Sequence, residues 1–139
     1  TLSCPSAKGL QNYRIYVVED PKKKEKLIRA CHNQGYVNTS LVLVFCTDPK
    51  AIKKEMGTRG ERLLSVQDAT IAASYAQLAA TSLGLSSVWI GNFSENQVKK
   101  IIKTKLRPVA IIPIGYEKKS NKRKSRPKRK AFQKMVKKV

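Results

Sequence analysis

The stretch from Ser65 to Tyr116 constrains the fold of this chain more than any other part of it. It begins SVQDATIAASYAQLAATSL, with alanines at 69, 72, 73, 76, 79 and 80 and almost no charge beyond Asp68. A helix with so little side chain lets another backbone come close, which places it in the core or against a second chain. Ser65 with Asp68 three residues on resembles a capping box, which makes Asp68 a helix-start carboxylate, and Gly84 is a left-handed stop. Val88 to Ile90 then reads as a short strand ending in Gly91, where bare backbone offers room for a flat ligand. Asn92 or Ser94 opens a further helix, with Val98, Ile101, Ile102 and Leu106 on its apolar face and Lys99, Lys100 and Lys103 outside. Pro108 to Tyr116, PVAIIPIGY, is a last central strand in which Pro113 is awkward for a ladder interior.

Upstream, Tyr13 to Val18 (YRIYVV) is a β-branched and aromatic run bounded by turn residues, as a strand requires. Asp20 caps a helix with Pro21 at its first position, and Leu27, Ile28 and Cys31 follow at helical spacing. Leu41 to Cys46 (LVLVFC) is a continuous apolar run, the pattern of a strand covered on both faces. Positions 47 to 64 are polar and charged and read as a loop or a short helix. Strands alternating with helices predict an α/β or α+β sandwich.

With 139 residues and 41% hydrophobic content the chain has room for one domain with a real core. Its formal charge of +20 is unevenly placed, since residues 117 to 139 hold twelve of the 29 Lys and Arg against one acid, Glu117. Such a field attracts phosphates, nucleotides, nucleic acid or anionic surfaces without naming any of them. We divide the chain into a domain at 1 to 116 and a basic tail at 117 to 139. Cys4, Cys31 and Cys46 stand far apart beside a lone His32, so neither a zinc site nor a disulfide framework is expected. Cys31 and Cys46 read as core, His32 as a helix-end residue, and Trp89 and Tyr116 as packing residues. No apolar run approaches the ~20 residues of a membrane span, and TLSCPSAKG lacks a signal-peptide pattern, so a soluble cytoplasmic protein is expected. The opening on Thr1, directly before a loop, leads us to expect that an N-terminal segment is lost or left out.

Three blocks, in order, resemble the FMN-dependent nitroreductase family, which includes NAD(P)H oxidases and flavin reductases. PSAKGLQNYRIYVVED resembles its "PSA-x-N-x-Q" loop and following strand. RGERLLSVQDATIAASYAQLAATSLGLSSVWIGNF resembles its central helix and "L-G-L-x-S-x-W-I-G" exit, and LRPVAIIPIGY resembles its final strand. The resemblance implies a mixed central sheet flanked by helices in an intertwined homodimer with two FMN molecules at the interface. It also implies that the alanine-rich helix packs against its twin.

By the same resemblance Pro5, Ser6, Gly9 and Gln11 lie in the loop beside the flavin ring. Gly9 stands where the family usually has Asn, which removes one side-chain contact. Ile90 and Gly91 match the segment whose backbone faces the flavin edge where hydride arrives, and Lys124 and Arg126 match tail cations that meet the FMN phosphate, which suits charge-assisted donors. The family's usual first helix, with its "R-R-S-x-R"-like motif for phosphate and ribityl contacts, has no counterpart in these residues. The implied chemistry passes hydride from NADH or NADPH through FMN to a small acceptor such as a nitroaromatic, quinone or flavin, without a catalytic side chain. Two rival readings stand beside it. One is a nucleic-acid-binding protein acting through the basic tail, although no recognition motif or aromatic platform accompanies the charge. The other is a protein that keeps the fold and binds without turnover.

Overall fold

The computed structural model describes residues 3–117 and 128–139. The strands are β1 (Tyr13–Val18), β2 (Leu41–Thr47), β3 (Ser86–Ser87) and β4 (Arg107–Gly115), and the helices are α1 (Pro21–Ala30), α2 (Pro49–Arg59), α3 (Ser65–Ser82), α4 (Glu95–Ile102) and the short α5 (Phe132–Met135). They form an α+β sandwich around a four-stranded sheet in the order β1-β2-β4-β3, and every pairing among the described residues is antiparallel.

Alternation along the strands builds two layers of core. Phe45 of β2 and Ala110, Ile112 and Ile114 of β4 turn to one face, where Ala69, Ala72, Ala73, Ala76 and Ala80 of α3 meet them. Val42, Val44 and Cys46 turn to the other, where Leu27 and Ala30 of α1, its capping residue Cys31 and Val98 of α4 cover them. The alanine stripe therefore packs against the chain's own sheet rather than outward against a twin. Small side chains bring the helix axis close to the strands, and the larger residues Tyr75 and Leu78 are left on its outer side, 41% and 67% exposed.

Asp-Pro pairs open two of the helices. The Asp20 carboxylate accepts the Lys22 N–H, and that of Asp48 accepts from Lys50 and Ala51, each with proline at the first helical position. The second pair settles 47 to 64 in favour of the helix: it starts at Pro49, kinks at Gly57 (φ +61) and joins α3 through a π-turn at Gly60–Leu64. Ser65 is consequently no N-cap; it sits mid-helix and its hydroxyl donates to the Glu61 carbonyl at 2.8 Å. The stop at Gly84 is as expected. At φ +72 its N–H reaches the Thr81 carbonyl while the Leu85 N–H reaches that of Ala80, a Schellman closure. Lys103 closes α4 in the same left-handed region, at φ +54, with a side chain in place of glycine.

The strand expected at Val88 to Ile90 begins earlier, at Ser86, and continues only as a Val88 contact and an isolated bridge from Ile90 to Ile111. Pro113 is tolerated in β4 because its carbonyl points toward Val88 at 3.3 Å. Its missing N–H therefore also faces the β3 side and takes no bond from β2.

Candidate functional site

Gly91 leaves the sheet directly after the Ile90–Ile111 bridge. The Ile90 N–H and carbonyl are both bonded to Ile111, at 3.0 Å each, and its side chain is 1% exposed in the core. Of the two residues expected to offer backbone to a ligand, Ile90 has none left to offer and acts as the anchor. Gly91 is exposed, and among the described residues its N–H meets no acceptor.

The chain's own geometry does not demand glycine here. Its φ is not in the left-handed region, and a Cβ at this position would meet Trp89 Nε1 at 3.4 Å, an ordinary contact. The free space is instead on the outside, where Gly91 lines a cavity of about 180 Å³ with Val66, Phe93, Glu95, Arg107, Pro108 and Val109. Arg107 donates to Glu95 Oε1 through Nε and Nη2 at 3.3 and 3.2 Å. Sequence reasoning missed this pair, since neither residue belongs to a motif; both are close to half exposed, so the pair contributes little stability. A bare backbone donor beside such a cavity fits the edge of a planar group that carries a hydrogen-bond acceptor.

Pro5, Ser6, Gly9 and Gln11 come together in a second place, the loop before β1. Ala7–Gly9 form one 3₁₀ turn, with the Gly9 N–H on the Ser6 carbonyl and the Gln11 N–H on Ser6 Oγ at 2.9 Å. Gly9 has φ +67, a conformation that glycine and asparagine adopt most readily, so glycine makes the turn here without a side chain. Beneath the loop, Ala7 N–H donates to Asp68 Oδ1 at 2.9 Å and Cys4 Sγ donates to Tyr13 Oη at 3.3 Å. Asp68 is 2% exposed and Oδ2 has no partner among the described residues, so it is a buried loop contact and not the helix-start carboxylate its position suggests. Its only sequence signal is isolation, as one acid in an uncharged helix. Burial first, then the Cys4 thiol and the Asp68 carboxylate, push the Tyr13 hydroxyl up to about 12.

The two places lie on different sides of α3. Val66 faces Gly91's cavity and Asp68 faces the loop. Two residues apart on a helix is about 200° of rotation, so the start of α3 stands between them. Lys124 and Arg126 lie outside the described residues. Of the aromatic residues expected to pack, Tyr116 is 86% exposed and Trp89 is 38% exposed with its indole beside Gly91. Cys31 and Cys46 are fully buried as expected, and no helix of the described residues is long and apolar enough to cross a membrane.

Comparison with known proteins converges on one family. The profile of the Nitroreductase family matches residues 33–116. The FMN reductase (NADPH) of Bacillus subtilis strain 168 is 32% identical over 117 residues, spanning 76% of this chain and 47% of that protein. A solved nitroreductase family protein from Clostridium novyi NT is 30% identical with a TM-score of 0.76, covering 88% of this chain and 71% of that one. The Bacillus subtilis protein ydfN, at 24% identity, shares the fold over 99% of this chain and 83% of its own with a TM-score of 0.91. The chain spans about half the length of the first curated relatives it matches.

Proposed function

Because this chain belongs to the nitroreductase family, we propose that it is an FMN-dependent oxidoreductase that draws on NADH or NADPH and reduces a small acceptor of the nitroaromatic, quinone or flavin class. The observation that carries the reading is Gly91, a glycine that its own chain does not require, with an unclaimed N–H at the mouth of a cavity. Bound FMN would supply the hydride chemistry, accepting from the nicotinamide and delivering to the acceptor. The chain's part is positional. Ile90 locks the strand end to β4, Gly91 offers one amide to the ring edge, and the absence of a side chain lets the ring approach it.

We further propose an intertwined homodimer built on the outer face of α3, where Tyr75 and Leu78 are exposed. The separation of the Pro5–Gln11 loop from Gly91 within one chain supports this, because a second copy can bring its loop to the first copy's glycine. In this arrangement the tail at 117 to 139 contributes Lys124 and Arg126 to the FMN phosphate, and the protein works in the cytoplasm.

The test is the absorbance of the purified protein and its titration with FMN. We expect flavin bands that bleach when NADH or NADPH is added without air and return with an acceptor. A colourless protein that takes up no FMN overturns the proposal, and one that binds FMN but is never reduced by either nicotinamide leaves the fold as a binding protein.

A further inference from the structure

We propose that Asp68 and Tyr13 are positioning residues for the Pro5–Ser6 dipeptide, two buried pins that hold it from beneath against the flavin. The inference rests on the FMN reading above and adds residues that do not touch the ring.

The loop cannot hold its own shape cheaply. Lys8, Gly9 and Gln11 all have left-handed φ, at +49, +67 and +48, and two of the three carry side chains. Such residues persist only where the surroundings over-determine them. The bonds within the loop, from Gly9 to Ser6, Leu10 to Ala7 and Gln11 to Ser6 Oγ, close it on itself but tie it to nothing else. Asn12 fastens the far end of the loop to Thr47 and Asp48, and the two ties nearest the dipeptide flank it. On one side Cys4, 5% exposed, donates to the Tyr13 hydroxyl of β1; on the other Ala7 donates to the Asp68 carboxylate of α3. Between the pins Pro5 is exposed and Ser6 half-buried, facing away from the core.

Asp68 makes the stronger pin. An amide N–H on a carboxylate oxygen is a stronger bond than one from a thiol, which is a weak donor. Burying the carboxylate while Oδ2 has no partner is a cost that general stability does not explain, since an alanine would suit this helix better. What the carboxylate provides is a fixed Ala7, 61 residues away in sequence.

The experiment compares the full chain with Asp68→Ala, Asp68→Asn and Tyr13→Phe. It reads amide hydrogen exchange at Ala7 and Gln11 and the dissociation constant for FMN by flavin fluorescence. For Asp68→Ala we expect Ala7 exchange to speed up and FMN affinity to fall, each by at least about tenfold, while exchange at Val44 and Ile112 stays as in the parent. Asp68→Asn, which keeps an acceptor but not the charge, and Tyr13→Phe should shift both readouts in the same direction by a smaller factor. A parent chain that takes up no FMN overturns the flavin reading and this inference with it. A parent that binds FMN beside an Asp68→Ala chain that binds it equally well overturns this inference alone, as does unchanged Ala7 exchange. Should Asp68→Ala unfold as a whole, Asp68→Asn decides: unchanged exchange and unchanged affinity overturn the proposal.

Discussion

Ile90 and Ile111 give each other both of their backbone hydrogen bonds, at 3.0 Å in each direction. This single pair fixes where Gly91 stands relative to the sheet. Side-chain burial at Ile90 reinforces it, so the free amide next in sequence is presented from a rigid point instead of a wandering loop.

Replacing Gly91 with alanine separates folding from binding. A Cβ there meets Trp89 Nε1 at 3.4 Å, so the chain accommodates it. Thermal unfolding should move by less than ~0.5 kcal/mol, the usual range for a surface position. FMN affinity in a fluorescence titration should fall by at least ~10-fold, equivalent to ~1.4 kcal/mol, because the methyl holds the ring off the amide.

Introducing a charge on the outer face of α3 tests the assembly. Leu78 is 67% exposed and touches little in its own chain, so Leu78→Glu should leave the circular dichroism spectrum unchanged. Light scattering should report a mass halved to that of one chain, and FMN uptake should drop with it.

Alkaline pH should unfold the protein through its core thiols. Burial pushes Cys31 up to about 11 and Cys46 up to about 12, the latter opposed slightly by Lys99, against an ordinary thiol value of 9.0. The native state thus keeps protons that the unfolded state releases. Its advantage is complete below pH 9.0 and is lost as pH rises toward 11 and 12. The steepest loss is ~1.4 kcal/mol per pH unit for each thiol. Denaturant melts from pH 8 to 11 check this, and Cys46→Val should flatten the curve above pH 9.

Gly84 ends α3 at φ +72 with open space around it, so backbone strain is the whole cost of adding a side chain. Gly84→Ala should lower stability by ~1 kcal/mol, or Tm by ~3–5 °C, in a calorimetric scan.

Local chemistry made much of this fold legible. The apolar runs of β1, β2 and β4 and the Asp20-Pro21 start of α1 announce themselves, since strand burial and helix capping are written in adjacent residues. The same Asp-Pro signature recurs at Asp48-Pro49, but the polar composition of 47 to 64 leaves loop and short helix both open, since only Ile52 and Gly60 are buried from Pro49 to Leu64. Ser65 and Asp68 imitate a helix start because capping residues look alike whether or not a preceding turn continues through them. The bond from Ala7 to Asp68 spans 61 residues and belongs to no periodicity, so only the folded chain reveals it. The two halves of the candidate site were legible as motifs. Their placement on opposite flanks of α3 was not, because it depends on how the helix is turned.

Lys103 marks a stabilising change that the chain leaves unused. It closes α4 at φ +54, where glycine would rest without strain, and it is exposed and makes no ion pair among the described residues. Lys103→Gly should therefore raise the unfolding free energy by ~0.5–1 kcal/mol. An engineer seeking a hardier version has a place to begin at the end of α4, outside the proposed flavin contacts.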